Sequence, residues 1–94
     1  MTSNYVLDES FTLIRARSGI DTVQYFRTVL AASPELAIVR VTVSDEANAW
    51  NWFTKDWSSL SFTDCVSFAL MKRLKISSVV TFDQHFTRAG FEMV

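Results

Sequence analysis

Apolar positions along the chain recur at two periods, and the breaks between them mark the elements. Over residues 4 to 17, Leu7, Phe11 and Ile14 fall at helical spacing, with Val6 and Leu13 widening the stripe. Gly19 stands just past this run, where a left-handed cap suits glycine. Arg15 and Arg17 in the last turn suit the helix dipole. Residues 21 to 32 predict a second helix, with Val23, Phe26 and Leu30 inward and a capping box over Asp21 to Gln24. Residues 36 to 43 are almost continuously apolar and rich in β-branched side chains, which predicts a strand covered on both faces.

Ser44 is the expected cap of a third helix, with Asp45 and Glu46 in its first turn and Ala47, Trp50 and Phe53 inward. Ser61-Phe62-Thr63-Asp64 is an S-x-x-D box opening a fourth helix, whose buried side is Phe62, Val66, Ala69 and Leu70. Lys72, Arg73 and Lys75 complement its carboxyl end. Further strands are expected at Ser78 to Phe82, ending in Asp83, and at Phe91 to Val94. Helices alternating with buried strands predict an α/β class with a mostly parallel sheet and right-handed crossovers.

Composition adds one tension. The chain has 94 residues, of which 49% are apolar and 14% aromatic, with a net charge of -1. That length suits one domain, residues 1–94, and the balance excludes disorder. Yet a small domain has much surface for its volume, and this one carries more apolar side chain than a monomer readily hides. A homo-oligomer, or the core-rich part of something larger, is expected. No run approaches the about 20 apolar residues of a membrane span. The first residues lack the basic-then-apolar order of a signal peptide, and Cys65 alone forms no internal disulfide. A cytoplasmic protein without membrane association is the expectation.

Candidate chemistry lies with the acids. In open parallel sheets, ligands bind at the carboxyl ends of strands and the neighbouring helix N-termini. Asp83 follows a predicted strand directly, and Asp64 lies in the first turn of a helix. Glu9 sits at the margin of an apolar stripe, between Val6 and Leu13. Each has a plainer reading: Asp64 as half of a capping box, Asp83 as a turn residue, Glu9 as solvent-facing. Asp8, Asp21, Asp45, Glu46 and Asp56 read as caps and solvated face. Converging carboxylates without a Cys or His cluster suit Mg²⁺ or Mn²⁺. Among other residues, His85 reads as a loop residue and Cys65 as a small buried hydrophobe. Trp50, Trp52 and Trp57 read as core or interface, with Trp52, off the inward face, the best candidate for an exposed base contact.

Leu60 through Ala69, then Val80-Thr81-Phe82-Asp83-Gln84-His85-Phe86 and Ala89-Gly90-Phe91, resemble the carboxyl half of a PIN domain. Asn4-Tyr5-Val6-Leu7-Asp8-Glu9 with Leu13-Ile14 is similar to that family's second acidic motif. The resemblance implies a PIN-like three-layer α/β/α fold and a metal-dependent endoribonuclease of the VapC toxin type. RNA would be the substrate and a small antitoxin protein the partner. Metal-activated water would attack a phosphodiester with no covalent intermediate. By motif match Glu9, Asp64 and Asp83 would be the catalytic, metal-site acids for Mg²⁺ or Mn²⁺, supported by Ser61 and Thr63. Arg15, Lys72 and Arg73 are candidate RNA contacts.

Two departures stand out. The family opens on a central strand carrying its first acid, and here no such strand is expected before residue 4. The chain would then be the carboxyl-terminal two-thirds to three-quarters of the fold, truncated at its N-terminus. Strands 36 to 43 and 78 to 82 would pair across the gap, or two copies would associate. Neither Asp8 nor Asp45 fills the missing acid's place by motif. Lys75 stands where the family often has a helix-terminating glycine. The alternative reading is a catalytically incomplete PIN-like module that acts by self-association or partner binding.

Overall fold

The computed structural model of the chain describes residues 1–79 and 84–93. It resolves into two compact units, Met1–Arg40 and Val41–Val94.

In the first unit, β1 (Thr2–Ser3) leads directly into α1 (Asn4–Ser18), and α2 (Ile20–Ala31) is followed by β2 (Ile38–Val39). A short strand therefore does precede residue 4. It pairs in parallel with β2, Thr2 against Ile38 and Ser3 against Val39. Ser3 is buried and caps α1, its Oγ accepting from the Val6 N–H at 3.2 Å. Gly19 alone joins the two helices. Its φ of 89° and ψ of 175° lie in a region open essentially to glycine, but this is not the left-handed cap expected. Because α2 starts off Gly19, the Asp21 to Gln24 capping box does not form, and no side chain caps this helix. Leu7, Phe11 and Ile14 of α1 and Val23, Phe26 and Leu30 of α2 are all half-buried, and Phe11 meets Phe26 edge to face at 5.7 Å. Val6 and Leu13 stay exposed, as do Ile20, Tyr25 and Val29. The strand expected over 36 to 43 shortens to Ile38–Val39, and Ile38 is exposed rather than covered on both faces.

The second unit holds α3 (Val43–Phe53), α4 (Phe62–Arg73), β3 (Ser78–Val79), α5 (His85–Arg88) and β4 (Glu92–Met93). β3 and β4 are parallel, Ser78 against Glu92 and Val79 against Met93. Among the described residues each strand pairs within its own unit, so the expected pairing of 36–43 with 78–82 is not found. Positions 80 to 82 of the third expected strand lie outside the described residues.

Phe68 on α4 is the centre of this unit's core and is fully buried. It meets Trp52 edge-on at 5.6 Å and Phe86 at 4.9 Å, and lies over Phe91 at 5.9 Å. Four elements or their flanks thus converge on one ring. Val66, Cys65 and Ala49 complete the centre.

The inward face of α3 differs from the expected one. Asp45, Ala49 and Trp52 are buried, at i, i+4 and i+7, whereas Ala47 is exposed, and Trp50 and Phe53, though partly exposed, pack against Phe62 of α4 at 5.3 and 5.2 Å. Trp52, expected as an exposed contact, is a core residue. The cause is Asp45, 1% exposed, which holds an inward position that an apolar count passes over. Its carboxylate accepts two bonds from Arg73 on α4, Nε to Oδ1 at 2.8 Å and Nη2 to Oδ2 at 3.0 Å. It also accepts from the Thr42 N–H at 3.0 Å, while the Asp45 N–H donates to Thr42 Oγ1 at 3.1 Å. Thr42, not Ser44, is therefore the cap, and Asp45 is a buried cap rather than part of a solvated face.

Two helices end in the same way. After α5, the Gly90 N–H donates to the Thr87 carbonyl and the Phe91 N–H to the Phe86 carbonyl, both at 3.0 Å. After α4, the Lys75 N–H donates to the Lys72 carbonyl at 3.2 Å and the Ile76 N–H to the Met71 carbonyl at 2.8 Å. Both are Schellman ends, which need a positive φ at the residue past the cap. Gly90 supplies 100° without a Cβ, and Lys75 is forced to 58°.

Two predictions follow from these contacts. Lys75→Gly raises stability by about 1 kcal/mol by relieving the left-handed Cβ clash, read as a higher urea midpoint. A lower midpoint means the left-handed residue carries no strain. The Arg73 guanidinium holds the Asp45 carboxyl below its ordinary range, helped by the Thr42 bonds and opposed by burial. A lowered folded pKa contributes stability that is present above the unfolded value of 3.8 and lost as pH falls through the folded value. Asp45→Asn therefore costs about 2 kcal/mol at pH 7, and the difference from wild type shrinks as acid is added below pH ~4. A difference independent of pH would remove the ionic role.

Candidate active site

Ser61 ends the segment after α3 in extended backbone and caps α4. Its Oγ accepts from the Asp64 N–H at 3.0 Å, and Asp64 Oδ2 accepts from the Ser61 N–H at 3.4 Å. The expected S-x-x-D box is present. It differs from the Asp45 box in two ways. The backbone-to-carboxylate bond is longer, and Asp64 is half-buried where Asp45 is sealed against Arg73. The α4 dipole places positive charge where Asp64 lies. Thr63, also half-buried, occupies the same first turn.

Asp64 leaves a trace on its neighbour. Burial, and secondarily the Asp64 charge, push the Cys65 thiol up to about 11. Cys65 is therefore a buried, protonated thiol at neutral pH, not a nucleophile.

Glu9 lies on the second turn of α1, in the first unit, and faces solvent. Asp83 lies outside the described residues, between Val79 and Gln84. Among the described residues no three His, Cys, Asp or Glu side chains gather as a metal cluster. The three acids are hard oxygen donors, the chemistry Mg²⁺ and Mn²⁺ select.

The three candidate RNA contacts occupy different settings. Arg15 is exposed in the last turn of α1. Lys72 stands over the Trp52 ring with Nζ 5.3 Å from its centroid. Arg73 is taken up by Asp45, and its job is to tie α4 to α3.

A cluster that the sequence did not announce joins the segment before α4 to α5. His85 is not a free loop residue. Its Nε2–H donates to the Ser58 carbonyl at 2.7 Å, and its ring lies parallel to Trp57, with centroids 6.1 Å apart at 4°. Lys55 Nζ and Arg88 Cζ each stand 5.9 Å from the Trp57 centroid. Ser59 turns this segment with φ at 61°. The residues are about thirty positions apart in sequence, and no periodicity links them.

Known proteins resemble this chain over nearly its whole length. The PIN domain family model matches residues 1–92. The 23S rRNA-specific endonuclease VapC20 of Mycobacterium tuberculosis, in strains CDC 1551 / Oshkosh and ATCC 25618 / H37Rv, is 38% identical over 96 aligned residues. The match covers 97% of this chain and 70% of that protein. The crystal structure of Mycobacterium tuberculosis VapC20, described as a Sarcin-Ricin loop cleaving toxin, superposes with a TM-score of 0.80 at 37% identity. That superposition spans 100% of this chain and 72% of the other. With its α/β architecture, parallel strand pairs and acid-bearing α4 N-terminus, the chain belongs to the PIN domain family.

Proposed function

We propose that the chain is a divalent-metal-dependent endoribonuclease of the PIN toxin type, acting on structured RNA such as a ribosomal RNA loop. The observation that carries the reading is the match, along 97% of the chain, to an endonuclease named for 23S rRNA. The half-exposed Asp64, fixed at the α4 N-terminus by Ser61, supports it.

In this reading Glu9, Asp64 and Asp83 hold Mg²⁺ or Mn²⁺, and Ser61 and Thr63 support Asp64. When bound, the ion supplies an activated water and neutralises charge developing on the phosphate. The Ser61 N–H donates to the Asp64 carboxylate and the Ser61 Oγ accepts from the Asp64 N–H, so the acid is oriented before RNA arrives. Water adds to phosphorus as the bond to the departing ribose oxygen breaks, with no covalent enzyme intermediate. The buried Cys65 takes no part. Arg15 and Lys72 are candidate phosphate contacts.

A small antitoxin protein is the proposed partner. Self-association is supported by the exposed apolar side chains of α1 and α2, among them Leu13, Ile20 and Tyr25. No helix of the described residues is long and apolar enough to cross a membrane.

The test is cleavage of a ribosomal RNA fragment in Mn²⁺ by wild type, Asp64→Asn and Asp83→Asn, with folding checked by circular dichroism. Each substitution is expected to lower the rate at least ~100-fold, as removal of a transition-state charge partner does. Mn²⁺ should also raise the wild-type melting temperature, and less so for Asp64→Asn. Full-rate cleavage by both variants would sink the assignment. An inactive wild type whose melting ignores Mn²⁺ would instead favour an incomplete module that acts by association.

A further inference from the structure

We propose that Lys55, Trp57, His85 and Arg88 form a contact surface for single-stranded RNA. The inference rests on the RNA-cleaving reading and names the residues that would hold the strand there.

The chain's net charge is -1, so RNA attraction must come from local patches. Arg73 is taken by Asp45. Lys55 and Arg88 make no ion pair among the described residues, and both are exposed. They come from separate segments and meet at one indole, each 5.9 Å from the Trp57 centroid. An aromatic ring holds a cation in place without neutralising it, so the charge stays available to a phosphate.

Rigidity comes next. The His85 bond to the Ser58 carbonyl ties α5 to the segment before α4, and the parallel imidazole steadies the half-exposed indole. Cations held in place over an aromatic ring suit sequence-tolerant binding of a single strand, because they meet its phosphates without reading its bases.

Position supplies the last step. Ser58 lies three residues before Ser61, the cap that fixes Asp64, and His85 lies two residues after Asp83. The cluster is thus tethered at both ends to segments that carry proposed site acids.

The experiment measures binding apart from cleavage. Asp64→Asn protein, with and without Lys55→Gln plus Arg88→Gln, is titrated against a fluorescent 12-nucleotide single-stranded RNA in metal-free buffer. The double change is expected to weaken binding about 10-fold and to lower the salt slope by about 1 to 1.5, at ~0.7 per lost phosphate contact. Its melting temperature should stay at the parent value. Trp57→Leu should weaken binding while Trp57→Phe retains it. Unchanged affinity and slope in the double variant would overturn the inference, as would equal displacement of the RNA by polyglutamate. Failure of the nuclease reading shows separately, as wild-type protein that does not cleave.

Discussion

A carboxylate buried to 1% exposure has to be compensated, and in the second unit that constraint organises everything around it. Asp45 faces inward from the first turn of α3, and the only described side chain that bonds its two oxygens from another helix is Arg73, in the last turn of α4. The pairing fixes the register of the antiparallel helices. With Arg73 opposite Asp45, Trp52 on α3 meets Phe68 on α4, and Phe68 in turn gathers Phe86 and Phe91. A fork-shaped guanidinium on a carboxylate is directional in a way that apolar packing is not. The hydrophobic contacts supply most of the cohesion, and the ion pair selects one arrangement among several.

The same unit uses the capping box twice, to different ends. Thr42 with Asp45 and Ser61 with Asp64 have the same sequence logic and nearly the same backbone geometry. At Asp45 the carboxylate is sealed and spent on structure. Asp64 is only partly buried, with a looser 3.4 Å bond from the Ser61 N–H to its carboxylate. The structural acid and the proposed functional acid thus differ in what surrounds them, not in motif. Because α3 and α4 are clamped at the Arg73 end, the Asp64 end is presented by a helix that has a fixed partner.

Much of this was legible in the sequence. The first helix was read as residues 4 to 17 and runs Asn4–Ser18, because its apolar stripe is long and its glycine stop unambiguous. The Ser61 box, the buried Val66, Ala69 and Leu70 of α4 and the strained Lys75 are legible in the sequence, whereas Phe62 is only half-buried and the core centre Phe68 lies off the expected stripe. The α3 face was misread because a buried acid looks polar to a periodicity count, which rotated the expected inward side from Trp52 to Trp50 and Phe53. The strands were read too long, since apolar β-branched runs do not say where pairing stops. Two residues in β1 were missed because so short a strand has no period. The Trp57 and His85 cluster was invisible for a different reason: it depends on tertiary packing between distant segments. Of the proposed acids, Glu9 and Asp64 came from motif resemblance and helix position, and neither could be told from a surface acid by spacing alone.

The central claim is that Asp45 and Arg73 act as one unit in holding the hairpin that presents Asp64. It is tested most directly by urea unfolding of Asp45→Leu, Arg73→Leu and the double variant. Breaking the pair strands one charge, whereas replacing both partners by apolar side chains removes the desolvation cost as well as the bond. The account predicts that the double variant is more stable than Arg73→Leu alone, which strands the buried Asp45 carboxylate, and that it recovers most of that loss. Stability losses that simply add in the double variant would contradict it, because the two residues would then be acting independently.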